Sequence, residues 1–188
     1  MNKIYLLLFI LSLNISCDRH RKVIDTQTIV TTPTAKEEKQ KEPVVSVEKG
    51  DEEISFIAKI IRILDGDTVE ILYGKLTIKL RLEHIDAPEK RGKQPYGNAA
   101  KKVLSDLCFG QMVTITSTGE FDRYGRLIGE IFNDQGLNVN KEMVHLGMAW
   151  HFKKYSDDTN YDALEKEARN SKRGLWKEPN AIAPWDFR

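Results

Sequence analysis

The central part of the chain, from position 54 onward, alternates apolar and polar residues in short runs of about the length of β-strands. Three runs follow one another, separated by the turn-forming pairs Asp-Gly and Tyr-Gly, and two more come later. They read ISFIAKIIRIL, TVEILY, KLTIKLRLEHI, QMVTITS and RLIGEIF. Such alternation bounded by turn residues is typical of strands joined in hairpins. The pattern predicts five strands, of which the first three form a meander.

Three other segments place their apolar residues at helical spacing. They are YGNAAKKVLSDLC, VNKEMVHLG, which ends at Gly147, and YDALEKEARNSKRG, which ends at Gly174. Glycine favours helix termination. Five short strands, with one helix after the third strand and helices at the end, predict an α+β fold that is mainly β. We expect a five-stranded OB-fold barrel with about three helices.

The first 17 residues have the composition of an export signal. Lys3 precedes an apolar run over positions 4 to 13, which is too short to cross a bilayer as a helix. The run closes with LNISC, which resembles the lipobox of bacterial lipoproteins, although Asn14 stands where an aliphatic residue is usual. We predict that Cys17 carries a lipid. Ordinary cleavage and an uncleaved anchor remain alternatives, but no A-x-A-like site is visible.

Positions 18 to 53 contain Pro33 and Pro43 and show no period of 2 or 3.6. This composition predicts a flexible tether, with a root-mean-square span of roughly 30–36 Å. A domain over positions 54–178 and a tail over 179–188 follow. With Cys17 acylated, Cys108 is the only free cysteine of the mature chain.

The net charge of +1 excludes a polybasic nucleic-acid coat, so any phosphate binding must use locally placed cations. Carboxylates and arginines are concentrated in three motifs, DGDTV, RLEHIDAPE and FDRYGR. Phosphodiester cleavage needs the phosphate charge neutralised and a water held in line, which these residue types can provide. Strict alternation puts Arg81 and Asp86 on opposite faces of a strand, so the chain must twist, bulge or leave the strand between them.

These motifs, together with YG, VNKEMVHLGMAW and GLW, resemble the staphylococcal nuclease (thermonuclease) family over residues 54 to about 176. The resemblance implies an OB-fold nuclease with bound calcium. It further implies roles for particular residues. By this resemblance, the calcium ligands are Asp67, Asp86 and the backbone carbonyl of Ala87. The catalytic residues are Glu89, which accepts a proton from the attacking water or orients it, and Arg81 and Arg126, which bind the phosphate. The nucleotide pocket has Tyr124, Tyr155 and Lys153, and Lys153 replaces a pocket tyrosine.

Taken singly, each of these residues is explained as well by a turn or a solvated strand face. Their joint occurrence, together with the resemblance, favours a monomeric, calcium-dependent nuclease that hydrolyses phosphodiester bonds of DNA, and of RNA as a further substrate, with low sequence specificity. We expect it to be exported and lipid-anchored to a bacterial membrane, facing the periplasm or the exterior, with a secreted form as the alternative. The rival functions are a non-catalytic OB-fold module that binds nucleic acid, and a tethered structural protein.

Replacing Cys17 tests the lipid anchor. Because the acyl chain on Cys17 would provide the membrane attachment, a Cys17→Ala chain should leave the membrane fraction. Fractionation of cells that express the two chains measures this. A Cys17→Ala chain that still fractionates with membranes would rule the anchor out.

Overall fold

The structure is a computed structural model that describes residues 53–188. The predicted signal peptide, Cys17 and nearly all of the predicted tether lie outside these residues. Within positions 53–188, no helix has both the length and the apolar character needed to cross a bilayer.

Five strands close into a barrel in the order β1-β2-β3-β6-β5, and two short strands form a separate pair. All neighbouring barrel strands are antiparallel except β3 and β6, which are parallel. The strands in chain order are β1 (Ile54–Asp65), β2 (Thr68–Tyr73), β3 (Leu76–Leu82), β4 (Ile85–Asp86), β5 (Met112–Ser117), β6 (Leu127–Phe132) and β7 (Trp150–His151). The predicted meander and the five-stranded OB-type barrel are confirmed.

The three predicted helices are present, and a fourth short helix lies near position 188. They are α1 (Gly97–Cys108), α2 (Val139–His145), α3 (Thr159–Asn170) and α4 (Pro184–Phe187). Helix α3 ends before Gly174, where the sequence placed its end. Lys172 takes a positive φ of 49° and turns the chain, so Gly174 begins a separate 3₁₀ turn packed against the backbone of Gly147.

The third strand is shorter than the sequence predicted. The run KLTIKLRLEHI stops as a strand at Leu82, and His84 adopts a left-handed φ of 66°. Backbone bonds hold the break, because Leu82 N donates to Asp67 O at 2.9 Å and Glu83 N donates to Gly129 O at 2.9 Å. The chain then pairs β4 with β7. Of the three predicted ways to bring Arg81 and Asp86 together, a twist, a bulge or an exit from the strand, the chain uses the exit.

The barrel interior is filled by strand residues and by one face of α1. Ala100, Leu104 and Cys108 on that face have no exposed surface, and Ile60 and Ile131 of the barrel are equally buried. They belong to one continuous apolar cluster. A smaller cluster centred on Trp150 and Trp176 lies beneath the C-terminal segment. Helix α1 thus stabilises the barrel from the side nearest the β1–β2 turn.

Leucine substitutions test this account of the core. Leu104 is fully buried in α1, so Leu104→Ala should lower the free energy of unfolding by about 2–5 kcal/mol through lost burial and a residual cavity. Leu76 is 63% exposed, and Leu76→Ala should change it by no more than about 0.5 kcal/mol. Chemical denaturation measures both. Equal losses for the two variants would contradict the assignment of α1 to the core.

Candidate active site

Two buried carboxylates meet at one end of the barrel. Asp67 lies in the turn between β1 and β2 and Asp86 lies in β4; they are 7% and 0% exposed. Arg81 projects from β3 and contacts both, since its Nη2 lies 2.9 Å from Asp86 Oδ1 and 3.3 Å from Asp67 Oδ2. Cross-strand pairing of Thr68 with Arg81 places Arg81 next to Asp67, the neighbour of Thr68. The three residues form the centre of the candidate site.

Asp67 is held as an ionised group. Burial raises the pKa of its carboxyl, but Arg81, the Ala87 N–H and the Thr68 hydroxyl together bring that pKa below its ordinary value. Thr68 Oγ1 donates to Oδ1 at 2.8 Å and Ala87 N donates to Oδ2 at 3.0 Å. The preceding Gly66 permits this approach, because a Cβ there would lie 2.8 Å from the Cβ atoms of Ala87 and Ala100.

Asp86 has one satisfied oxygen and one without a partner. Oδ1 accepts from Arg81 and also from Arg188, whose Nη2 is 2.6 Å away. Oδ2 is buried and accepts no hydrogen bond from any of residues 53–188. Burial and the nearby charge of Asp67 raise the pKa of Asp86 to about 6, against the opposing effect of the arginines. A buried carboxylate oxygen normally has a partner, so this atom is the one in the centre that can still accept a bond.

The oxygen atoms of this centre are of the kind that bind hard cations. Among positions 53–188, no group of three or more His, Cys, Asp or Glu side chains is arranged to hold a metal ion. The predicted set of Asp67, Asp86 and the Ala87 carbonyl has only two side chains. A cation bound by this set would therefore take most of its remaining ligands from substrate and water.

Glu89 lies on the loop after β4, beside this centre. Its backbone N–H donates to Gln94 Oε1 at 2.9 Å, and its Oε1 accepts from Arg188 Nε at 2.5 Å. The Glu89 side chain is 27% exposed, so water can reach it. The loop therefore fixes the backbone while leaving the carboxylate accessible.

Arg126 joins the site through the turn that precedes β6. Asp122 Oδ2 accepts from Arg126 Nε at 2.7 Å, and Asp122 Oδ1 accepts from the backbone N–H groups of Tyr124 and Arg126. The other end of the guanidinium donates from Nη1 to Thr68 Oγ1 at 3.2 Å. Because Thr68 also donates to Asp67, a chain of hydrogen bonds links Arg126 to the carboxylate centre.

The three predicted pocket residues do not share one set of contacts. Tyr124 is 66% exposed, with the Arg126 guanidinium 5.4 Å from its ring centre. Tyr155 is 70% exposed and packs edge-on against Phe152. Lys153 pairs with Asp162 of α3 at 2.5 Å. The structure thus brings only Tyr124 into contact with an arginine of the site.

Comparisons with known proteins match this chain to a single family. The family described as Staphylococcal nuclease homologue matches residues 79–178. The chain belongs to the staphylococcal nuclease family. A protein of Shigella flexneri named micrococcal nuclease is 42% identical over 143 residues, covering 71% of this chain and 80% of that protein. An uncharacterized endonuclease of Escherichia coli O157:H7 is 41% identical over 130 residues, covering 69% of this chain and 83% of that protein.

The same family extends to plants. A probable staphylococcal-like nuclease of Oryza sativa subsp. japonica is 37% identical over 127 residues, which cover 68% of this chain and 33% of that protein. The predicted resemblance is confirmed, and a nuclease of the hydrolase class is the activity that these relatives support.

Three residues of this staphylococcal nuclease homologue contact the site without having been predicted. Asp122 fixes Arg126, Gln94 holds the Glu89 backbone, and Arg188 contacts Asp86 and Glu89. The Asp-x-x-Gly spacing of the DRYGR turn was a usable signal for Asp122, because such an aspartate accepts backbone N–H bonds two residues on. Nothing in the local sequence marked Gln94 or Arg188.

Asp122 gives a pH-dependent prediction. Its bonds from Arg126 and from backbone N–H groups outweigh partial burial and lower the pKa of its carboxyl. A lowered pKa contributes stability that is fully present above the unfolded-state value, about 4, and that is lost as the pH falls further. The destabilisation caused by Asp122→Asn should therefore be larger near neutral pH than below about pH 3. Urea unfolding at both pH values measures it; a pH-independent difference would contradict this.

Proposed function

We propose that this chain is a calcium-dependent nuclease that hydrolyses phosphodiester bonds of DNA or RNA with little sequence specificity. The observation that carries the proposal is the meeting of Asp67 and Asp86 around Arg81, with Asp86 Oδ2 buried and without a partner. Family membership supports the same class of reaction. Calcium and the substrate range go beyond what family membership establishes.

Calcium suits the donor set of the site. It prefers carboxylate and carbonyl oxygens and takes 6–8 ligands, so Asp67, Asp86 and the Ala87 carbonyl would leave positions for phosphate oxygen and water. Among the buried side-chain atoms of positions 53–188 that have no hydrogen-bond partner, Oδ2 of Asp86 is the one carboxylate oxygen. Bound there, calcium would supply positive charge next to the phosphate. A site with few protein ligands should bind it weakly, with a dissociation constant of about 10⁻⁴–10⁻³ M.

Two arginines would bind the phosphate. Guanidinium groups stay charged and meet phosphate oxygens in pairs, and such contacts strengthen as negative charge builds in the transition state. Arg81 is fixed by Asp67 and Asp86, and Arg126 is fixed by Asp122 and Thr68. Because both are already fixed before substrate arrives, little reorganisation is needed for catalysis.

In this proposal Glu89 acts on the attacking water. Its backbone is anchored through Gln94, and within positions 53–188 its hydrogen bonds to other residues use Oε1. Oε2 is thereby left for water. A carboxylate in this position can accept the proton that the water loses or can orient the water behind phosphorus.

The site would contact its substrate through charged side chains and exposed aromatic rings. Tyr124 and Tyr155 are exposed rings on which bases can stack, and Lys153 lies near Tyr155 in sequence. Stacking and phosphate binding tolerate any base. This supports low sequence specificity on both DNA and RNA.

The location of the protein is also a proposal. The apolar run after Lys3 and the LNISC motif support export and lipid attachment at Cys17. The domain would then face the periplasm or the exterior. Weak calcium sites of the proposed affinity are typical of modules that work outside the cell.

Cleavage assays with the full chain test the proposed activity. Incubation with plasmid DNA, denatured DNA and RNA should give cleavage in millimolar calcium and none with a chelator. Glu89→Gln should lower the rate by about 10²–10³-fold, the scale for one preorganised transition-state contact. Gel electrophoresis and acid-soluble nucleotide release measure the products and the rate.

Lys102 provides the control for these assays. It is exposed, its ion pair within positions 53–188 is with Asp106 of its own helix, and it lies outside the site, so Lys102→Gln should retain nearly full activity. Binding that persists in calcium without any cleavage would instead indicate the non-catalytic module. Similar small losses in the Glu89 and Lys102 variants would show that the role given to Glu89 is wrong.

A further inference from the structure

The segment over positions 179–188 packs on the domain next to the candidate site. Gln94 connects them, because its Nε2 donates to Ile182 O at 2.8 Å while its Oε1 accepts from Glu89 N at 2.9 Å. Gln94 itself is only 5% exposed. One buried side chain therefore couples the position of this segment to the backbone of Glu89.

Aromatic contacts fix helix α4. The Trp185 ring stacks on Phe152 with centroids 5.2 Å apart and planes 7° apart, and it meets Trp150 edge-on at 5.6 Å. Phe187 lies close to Gly92, where a Cβ would come within 3.2 Å of its ring. These contacts anchor the residues immediately before Arg188 on two sides.

Arg188 extends from this anchored helix into the site. Its Nη2 lies 2.6 Å from Asp86 Oδ1 and its Nε lies 2.5 Å from Glu89 Oε1. The planar guanidinium thus bridges two carboxylates that belong to different parts of the proposed mechanism. A planar fork of this kind fixes the relative orientation of both groups.

We propose that Arg188 is a positioning residue of the nuclease, which holds Glu89 and Asp86 in the orientation that hydrolysis requires. The inference rests on the proposed function, because it takes Glu89 as the residue that acts on water and Asp86 as the residue that faces the cation. Arg188 acts through these two carboxylates and is not itself assigned a contact with substrate.

The carboxylate oxygens that Arg188 binds indicate that it positions Asp86 and Glu89 and does not block the site. Arg188 binds Asp86 Oδ1, the oxygen that also binds Arg81, and makes no bond to Oδ2, which has no partner among residues 53–188. On Glu89 it likewise uses one oxygen. A group that closed the site would be expected to cover Oδ2. Arg188 therefore restrains both carboxylates while leaving an oxygen of each for other partners.

The charges agree with this role. When Asp67, Asp86 and Glu89 are ionised, Arg81 and Arg188 balance two of the three negative charges. One negative charge remains, so a divalent cation can still bind next to a phosphodiester. Because Arg81 would still pair with Asp86 in its absence, loss of Arg188 should not unfold the domain. Arg188 itself is 43% exposed, so water screens its side of both ion pairs.

Steady-state kinetics on the full chain test the proposal. Arg188→Gln should lower kcat about 10–100-fold, the range for groups that orient site residues from outside, with KM changed by less than about threefold. Arg188→Lys should recover only part of kcat, because a point charge cannot bridge both carboxylates as a planar fork does. Thermal unfolding should show both variants folded.

Arg62→Gln is the matched control, since Arg62 is an exposed arginine whose ion pair with Glu70 lies on the barrel strands. It removes the same charge and one ion pair, and kcat should stay at the wild-type value. Wild-type kcat in Arg188→Gln would overturn the positioning role. So would faster cleavage at lower calcium, which would show that Arg188 blocks the site.

A double variant tests whether Arg188 acts through Glu89. If it does, Arg188→Gln combined with Glu89→Gln should cleave about as slowly as Glu89→Gln alone, because the group to be oriented is already lost. Multiplied losses would overturn the proposal. If the wild-type chain does not cleave at all, the proposed function is wrong. If the wild-type chain cleaves but the Arg188 variants cleave equally fast, only the positioning role is wrong.

Discussion

The contact of one guanidinium with two buried carboxylates is the interaction on which the site depends. Asp67 and Asp86 are almost fully removed from water, and a buried carboxylate without a partner is costly. Arg81 offsets this cost for both by lying between them. Within positions 53–188 the arrangement still leaves one oxygen of Asp86 without a partner. That unpaired oxygen distinguishes the centre from a closed structural ion pair, and the proposed calcium site depends on it.

Strand pairing and a break in the third strand bring these three residues together. Pairing of β2 with β3 sets Arg81 opposite Thr68, next to Asp67. The break after Leu82 and the left-handed turn at His84 then direct β4 away from the barrel, so Asp86 reaches the same guanidinium. A continuous third strand would have put Arg81 and Asp86 on opposite faces. An irregularity in the sheet is thus a requirement of the site.

The catalytic surface is built from more of the chain than its motifs. Asp122 orients Arg126, Gln94 holds the loop of Glu89, and the segment that carries Arg188 forms a further wall. Asp122 and Arg188 contact the side chains of other site residues, and Gln94 holds the backbone of Glu89. Fixing groups in advance in this way reduces the rearrangement that a reaction at the site would need.

The sequence alone determined the local elements and the principal candidates. Alternation predicted the five strands, helical spacing predicted α1 from residues such as Ala100 and Leu104, and the charged motifs singled out Asp67, Asp86 and Arg81. Those signals are short-range, because strand and helix periodicities repeat within a few residues. It did not indicate the end of β3 at Leu82, where backbone bonds to other strands decide the outcome.

Tertiary structure decided which distant side chains meet. Arg188 lies 102 residues from Asp86 along the chain, and the four-residue helix before it is too short to show a period. Packing of Trp185 on Phe152 brings the two together. Lys153 likewise had a role only by resemblance, and its pairing with Asp162 became visible only in the fold. Such contacts depend on how elements pack, which no local pattern of residues encodes.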